Sequence, residues 1–413
     1  MLYLRLLLGI AFFLGIAWML SSDRRRFPWR VVIGGLALQF LIAAVILKTG
    51  VGRGFFEGAA DFVSKLVSMV EPGAKTVFGH LGDSQSQLGF VFAFAGTGLI
   101  VIIFFSALMS MLYHIGLMQL LVGLLARLMS KTMRLSGGES MAAAANIFMG
   151  QTEAPLVVKP YISRMTLSEL NALMTGGFAT IAGSVMAVYM SRLGPGYAEH
   201  IITASVMSAP AAFVMAKLIR PETEHSLTMG KLEFKVEKNA TNILEAAANG
   251  TTDGLRLWLN VVAMLIAFLA LVNLINWPIG AAAAGLGFEN VTLQSLFGWV
   301  LTPVAWFMGV EGSQDCRLVG ELLGTQVAIN EFVGYLRLVE MRTASLFEHE
   351  RSAIMAVYAL CGFANLGSIG IQIGGLSALA PERKSDLARL AVKAMVGGAL
   401  ACWMTAMIAG VFL

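Results

Sequence analysis

Two glutamates, Glu153 and Glu331, lie in otherwise apolar stretches, and their chemistry is the most informative in the sequence. Each occupies a short polar tip, GQTEAP at 150–155 and NEF at 330–332. A carboxylate inside a membrane segment costs about 2.5–3.5 kcal/mol, so it is kept where it faces a wet cavity and has a partner. An ionised carboxylate accepts hydrogen bonds and donates none, which suits a neutral polar solute. The alternative is that either glutamate pairs with an arginine at a helix-packing site; two glutamates at equivalent tips favour a binding role.

The segments that carry these glutamates predict two re-entrant hairpins, at 136–163 and 314–341. Each segment consists of two short apolar pieces on either side of the polar tip, and neither piece reaches the roughly 20 residues that a bilayer requires. Irregular backbone at membrane depth is tolerated only where it faces protein or water. We therefore expect both tips to face a polar cavity in the protein interior.

Each predicted hairpin is followed by a span in which a helix could unwind. The small residues that would permit this are Gly177, Gly183 and Ser184 in the first span and Gly362, Gly367 and Gly370 in the second. Unwinding frees backbone carbonyls, and Asn146 and Thr180 could add two side-chain oxygens. Such a donor set suits a hard, weakly charged ion such as sodium better than a transition metal. The alternative is that Asn146 and Thr180 only cap or bond neighbouring helices.

The composition is that of an all-α polytopic membrane protein. The 413 residues are 57% hydrophobic and 13% charged, with a mean hydropathy of +0.76, whereas soluble domains carry roughly 25% charged residues. We predict eight transmembrane helices, two re-entrant hairpins and additional interfacial helices. The eight spans are expected at 2–20, 31–48, 89–113, 167–192, 199–217, 255–277, 350–379 and 386–412, and the interfacial or connecting helices at 54–71, 114–130 and 290–310.

The net charge of +4 comes from basic residues in short clusters between apolar spans, a pattern that indicates membrane topology rather than nucleic-acid binding. Arg24, Arg25 and Arg26 follow the first span and mark its cytoplasmic end. This orientation, with an even number of spans, predicts that both termini are periplasmic. The three cysteines show no CxxC spacing, so neither a disulfide framework nor a zinc site is indicated. With no P-loop or catalytic motif in a suitable context, we expect neither an enzyme nor a primary pump.

The two halves of the chain predict an inverted repeat. The sequence GFATI at 177–181 aligns with GFANL at 362–366, and each follows a hairpin with one glutamate at its tip. The predicted topology gives the copies opposite orientations, which is typical of secondary transporters with a site near the midplane. Chance similarity of helices rich in small residues is the alternative. The predicted division is an N-terminal scaffold part at 1–88, a first repeat at 89–220, a polar linker with an interfacial helix at 221–254 and a second repeat at 255–413.

Three blocks resemble the signatures of the concentrative nucleoside transporter family, in matching order and spacing over nearly the whole chain. NIFMGQTEAP at 146–155 resembles the signature of the first hairpin, and NEFVGY at 330–335 resembles that of the second. GFANLGSIG at 362–370 resembles the broken helix that follows. One departure is Gly334, where alanine is expected in many members. The chain also lacks the long polar tails of animal members, which suggests a bacterial protein in its inner membrane.

The resemblance implies an ion-coupled symporter that imports nucleosides such as uridine, with sodium as the coupling ion and proton coupling as the alternative. It implies a homotrimer in the lipid membrane, whose protomers each consist of a scaffold and a mobile transport domain that moves by an elevator mechanism. Gln151, Thr152 and Glu153 would bind the nucleobase and Val185 would pack against it; Glu331, Asn365 and Ser368 would hold the ribose, with Phe363 nearby. Sodium would be held by Asn146, Thr180 and the carbonyls of Met149 and Ile181.

Overall fold

The structure is a computed structural model, and it describes residues 2–82, 99–194, 196–229, 240–288 and 291–413. Every regular element in these ranges is helical, as predicted. The N-terminal half contains α-helices at Leu2–Met19, Trp29–Lys48, Gly50–Ser68, Glu71–Phe78, Val101–His114, Leu117–Met133, Gly137–Asn146, Lys159–Ile162, Leu167–Ala179, Gly183–Leu193 and Ala198–Ile219. The C-terminal half contains α-helices at Ile243–Gly285, Leu293–Met308, Ser313–Ala328, Glu331–Thr343, Glu350–Leu360, Leu366–Leu379 and Lys384–Gly410. Short 3-10 segments lie at Gly79–Gly82, Ala154–Val158 and Pro381–Arg383.

The helices suit a membrane by their length and composition. In the described ranges, five helical segments are long and apolar enough to span a bilayer, and the number rises to seven if each of two bent helix pairs is one span. The bends are 78° between Val101–His114 and Leu117–Met133, and 117° between Leu293–Met308 and Ser313–Ala328. The predicted count of eight stays a prediction, because much of the expected span at 89–113 lies outside the described residues.

The polar linker and the span expected at 255–277 differ from the prediction. A single helix, Ile243–Gly285, covers both the end of the linker and the span. It begins earlier because Asn242 caps it: the Asn242 side chain accepts hydrogen bonds from the backbone N–H groups of Leu244 and Glu245. The residues before Asn242 lie partly outside the described ranges.

The first hairpin consists of Gly137–Asn146, a tip without regular helix at 147–153, and the short helical segments Ala154–Val158 and Lys159–Ile162. The second consists of Ser313–Ala328 and Glu331–Thr343, with only Ile329 and Asn330 between its two helices. Both agree with the predicted form of two short pieces around a polar tip.

The spans that follow the hairpins are broken, as the glycine-rich sequences predicted. The first broken span consists of Leu167–Ala179 and Gly183–Leu193, and the second of Glu350–Leu360 and Leu366–Leu379. At the first break, Thr180 and Ala182 have extended backbone conformations, so the helical hydrogen-bond ladder stops and restarts. At the second, Asn365 restarts the helix because its Oδ1 accepts from the Ser368 backbone N–H at 2.8 Å.

A buried ion cluster joins one end of the first hairpin to the first broken span and to helix Ala198–Ile219. Capping boxes begin both segments, and their glutamates are Glu139 and Glu169. Lys217, only 5% exposed, forms an ion pair with Glu139 and donates to Ser168 Oγ at 2.9 Å. Its Nζ also lies 3.6 Å from Glu222 Oε2. One buried ammonium therefore compensates two carboxylates, Glu139 and Glu222, at the place where three elements meet.

We expect Lys217→Met to lower the free energy of unfolding by about 3–5 kcal/mol, because it leaves the buried Glu139 carboxylate without its cation. Thermal unfolding of the detergent-solubilised protein measures the effect. Lys131→Met, at an exposed lysine near the end of helix Leu117–Met133, is the matched control. Equal melting temperatures for the two variants would show that the cluster does not stabilise the fold.

Candidate functional site

The two helix breaks lie against each other in the interior. Gly362 at the second break packs so closely on the end of helix Leu167–Ala179 that a Cβ there would lie 2.7 Å from the Phe178 carbonyl oxygen. The same Cβ would lie 2.5 Å from Cys402 Sγ of the C-terminal helix. Only glycine permits this approach. The polar groups that both breaks release therefore face a common region.

Glu331 begins the second helix of the second hairpin and is 5% exposed. Its Oε1 accepts a hydrogen bond from the Tyr189 hydroxyl at 2.9 Å, and its Oε2 accepts from Asn365 Nδ2 at 3.1 Å. Both of these partners are neutral side chains, and no ion pair with Glu331 occurs among the described residues. The alternative that Glu331 is locked against an arginine therefore does not hold. The carboxylate keeps lone pairs for a further donor.

A line of hydrogen bonds connects Glu331 to the first hairpin. Asn365, which donates to Glu331, caps the helix that carries Ser368. Ser368 Oγ lies 3.4 Å from Gln151 Nε2 at the tip of the first hairpin. The structure thus brings Glu331, Asn365, Ser368 and Gln151 together, and all four side chains are buried.

The other four predicted substrate residues differ from one another in how far their side chains are exposed. Glu153 is half-buried, and its Oε2 accepts from the Gly150 backbone N–H at 3.3 Å. Thr152 is exposed, Phe363 is half-buried and Val185 is buried with 5% exposure. In the described part of the chain, none of these four side chains hydrogen-bonds to the line of residues from Glu331 to Gln151.

The candidate sodium ligands meet at the first break. Asn146 Nδ2 donates to the Gly176 carbonyl at 2.6 Å and to Thr180 Oγ1 at 2.5 Å. Because a carbonyl can only accept, the nitrogen of this amide must face Gly176, and the oxygen must face the other way. Asn146 Oδ1 is buried and has no hydrogen-bond partner among the described residues.

Two further oxygens could complete a cation site here. Met149 and Ile181 lie outside the helices, and no backbone hydrogen bond within the described ranges reaches either carbonyl. A cavity of about 10 Å³, lined in part by Asn146, Gln151 and Gly176, lies beside the Asn146 amide. This volume suits a single water molecule or one ion without its hydration shell. Free carbonyls and an unpartnered amide oxygen are ligands that a hard cation accepts.

Three polar residues of this region were not predicted from the sequence: Tyr189, Gln326 and Gln372. Gln326 repeats the arrangement of Asn146, since its Nε2 donates to the Leu360 and Gly362 carbonyls at 3.3 and 3.0 Å and its Oε1 is unpartnered among the described residues. Gln372 donates to Gln151 Oε1. One signal could have found Gln372, because it lies four residues after Ser368 and so on the same helical face.

Family models cover most of the chain. Residues 8–81 match the model described as "Na+ dependent nucleoside transporter N-terminus", and residues 200–410 match the corresponding C-terminus. Residues 95–196 match the model described as "Nucleoside recognition".

Individual relatives agree with these models. A transporter of Haemophilus influenzae is 44% identical over 98% of this chain and 97% of its own length. The sodium/nucleoside cotransporter 2 of Rattus norvegicus is 40% identical over 98% of this chain, which spans 62% of that longer protein. The solved structure of CNTnw in an inward-facing substrate-bound state is 41% identical, with a TM-score of 0.90, and covers 100% of this chain and 98% of its own. A CNTnw variant in an outward-facing state has a TM-score of 0.92 at 41% identity, over 100% of this chain and 99% of its own.

Gly183→Ala tests the close approach of the first hairpin to the first break. The Gly183 N–H donates to the Phe148 carbonyl at 3.1 Å, and a Cβ at Gly183 would lie 2.6 Å from that oxygen. Backbone must move to accommodate it, so we expect a loss of about 1–3 kcal/mol of stability. Gly374→Ala, on a helix where a Cβ meets nothing within 4 Å, is the control. The tight packing is contradicted if thermal unfolding shows Gly183→Ala to be as stable as Gly374→Ala.

Proposed function

We propose, from the premise that the chain belongs to the Na+-dependent nucleoside transporter family, that it is a sodium-coupled symporter that imports nucleosides such as uridine. The observation that carries the proposal is the buried Glu331 carboxylate, which is bonded only by neutral donors in the described part of the chain. A neutral sugar with vicinal hydroxyls offers the donors that such a group still accepts.

On the substrate side, Glu331, Asn365 and Ser368 would hold the ribose, and Phe363 would lie beside it. Their support is that the first three already form one hydrogen-bonded group at the second break. A site of this kind rejects a molecule without the hydroxyls, because buried polar groups would be left unpaired.

The tip of the first hairpin would bind the nucleobase. Gln151, Thr152 and Glu153 would supply its polar contacts, and Val185 would pack against it. Gln151 lies at hydrogen-bond distance from Ser368 of the ribose group, which supports a single continuous site. Thr152 is exposed and Glu153 is partly exposed, so both side chains keep free hydrogen-bonding capacity toward a ligand.

Sodium would bind at the first break, held by Asn146, Thr180 and the carbonyl oxygens of Met149 and Ile181. The unpartnered Asn146 Oδ1 and the adjoining cavity support this location. Asn146 and Gln151 belong to the same hairpin, so an ion that orders the tip would also favour substrate, and substrate would favour the ion by the same factor.

Transport would follow an elevator mechanism, in which the hairpins and broken spans move as one body against a scaffold. Solved structures of CNTnw and its variants include inward-facing, outward-facing and intermediate states, which supports a large motion in this fold. The long helix Ile243–Gly285 exposes Leu259, Ile266 and Leu274, an apolar face suited to lipid or to neighbouring copies in a homotrimer. We propose the bacterial inner membrane as the location, with both termini periplasmic.

Glu331→Gln tests the ribose role. We expect uridine affinity to fall by about 10- to 100-fold, since hydrogen bonds to a charged group contribute roughly 1.5–3 kcal/mol. Isothermal titration calorimetry on the purified protein measures the change, and Glu340→Gln on the exposed side of the same helix is the control. If Glu331→Gln binds uridine as tightly as Glu340→Gln, Glu331 does not bind the ribose.

Uptake into proteoliposomes tests the coupling ion. Labelled uridine should accumulate with an inward sodium gradient at equal pH on both sides, and Asn146→Leu should abolish the sodium dependence by removing the amide oxygen. Uptake that follows only a pH gradient would refute sodium coupling and indicate proton coupling.

A further inference from the structure

Gln372 lies in the second half of the second broken span and is 1% exposed. It reaches across to the first repeat, where its Nε2 donates to the Met174 carbonyl at 3.1 Å and to Gln151 Oε1 at 3.0 Å. Gly177 makes room for this reach, because a Cβ at that position would lie 2.4 Å from Gln372 Nε2. Gln372 is therefore enclosed by backbone on one side and by Gln151 on the other.

The Met174 carbonyl fixes the orientation of both amides. A backbone carbonyl can only accept, so the atom of Gln372 that faces it must be the nitrogen. The second hydrogen of the same nitrogen points at Gln151, so the atom of Gln151 that it meets must be the oxygen. The nitrogen of Gln151 consequently faces away from Gln372, toward Ser368 Oγ at 3.4 Å.

We propose that Gln372 is a positioning residue for substrate selection, which holds Gln151 so that it offers the substrate an N–H donor rather than an acceptor. The inference rests on the proposed function, in which Gln151 contacts the base. The substrate must then present an acceptor at this position, which for uridine is the carbonyl oxygen at C4 of the base. Without Gln372, the Gln151 amide could rotate by half a turn and present its oxygen instead.

The primary test is a double-mutant cycle on uridine binding, measured by calorimetry with the full-length protein. Gln372→Met should weaken binding by about tenfold, and by less than about twofold when Gln151 is already methionine, because the effect passes through Gln151. Gln39→Met is the control and should leave binding unchanged, because Gln39 is a buried glutamine whose Nε2, within the described ranges, donates to the Gly35 carbonyl alone.

Gln372→Glu is the second variant, and it tests the orientation directly. A protonated glutamate has a single hydrogen, which it donates to the Met174 carbonyl, so it has none left for Gln151 Oε1. The same oxygen can accept from Gln151 Nε2, so the Gln151 amide turns over and presents its oxygen to the substrate. Uridine carries a carbonyl group at C4 of its base, where cytidine carries an amino group. The ratio of uridine affinity to cytidine affinity should therefore fall by about threefold or more relative to wild type, a change that simple loosening of the site would not produce.

The outcomes separate this inference from the proposed function. A wild-type protein that binds no nucleoside refutes the proposed function. The positioning role is refuted if the wild-type protein binds nucleoside but Gln372→Met lowers uridine affinity equally with glutamine and with methionine at position 151. An unchanged or increased uridine-to-cytidine ratio in Gln372→Glu refutes the orientation of Gln151.

Discussion

The rest of the site depends on one constraint: a buried carboxylate without a cation must be held by neutral donors that leave part of it free. Glu331 meets this constraint with the Tyr189 hydroxyl and the Asn365 amide. Each of these donors comes from a helix that restarts after a break, Tyr189 in the first broken span and Asn365 in the second. Continuous helices would point both side chains elsewhere and use the backbone groups internally. The broken spans are therefore what allows this fold to hold a buried carboxylate.

Breaking a helix in the interior releases backbone groups that need new partners, and the two halves of the chain solve this in the same way. An amide side chain near the end of the first helix of each hairpin donates to the carbonyls released beside the following break. Asn146 does so for Gly176, and Gln326 for Leu360 and Gly362. Each amide keeps an oxygen without a partner among the described residues. The two halves of the chain, which the sequence predicts to be a repeat, therefore share a hydrogen-bond pattern as well as similar sequences.

The sequence predicts the local features of the site better than its long-range pairs. Polar tips in apolar segments indicate hairpins, and runs of small residues indicate breaks, because both depend on neighbouring residues alone. The pairing of Tyr189 with Glu331 and of Gln372 with Gln151 could not be found this way, since the partners lie 142 and 221 residues apart in the sequence and tertiary packing brings them together. Glu139 shows the same limit: it forms an ordinary capping box with Ser136, and only the fold places it against Lys217.

The proposed ion site and the proposed base site are held by one short stretch of the first broken span. Asn146 bonds to the Gly176 carbonyl, and Gln372, which orients Gln151, bonds to the Met174 carbonyl. A cation at Asn146 Oδ1 would fix the hairpin against this stretch from one side, and Gln372 fixes it from the other. Coupling between two ligands requires an element whose arrangement both of them favour. On the proposed function, the last turns of helix Leu167–Ala179 and the hairpin tip would be that element, because moving them would disturb both sites at once.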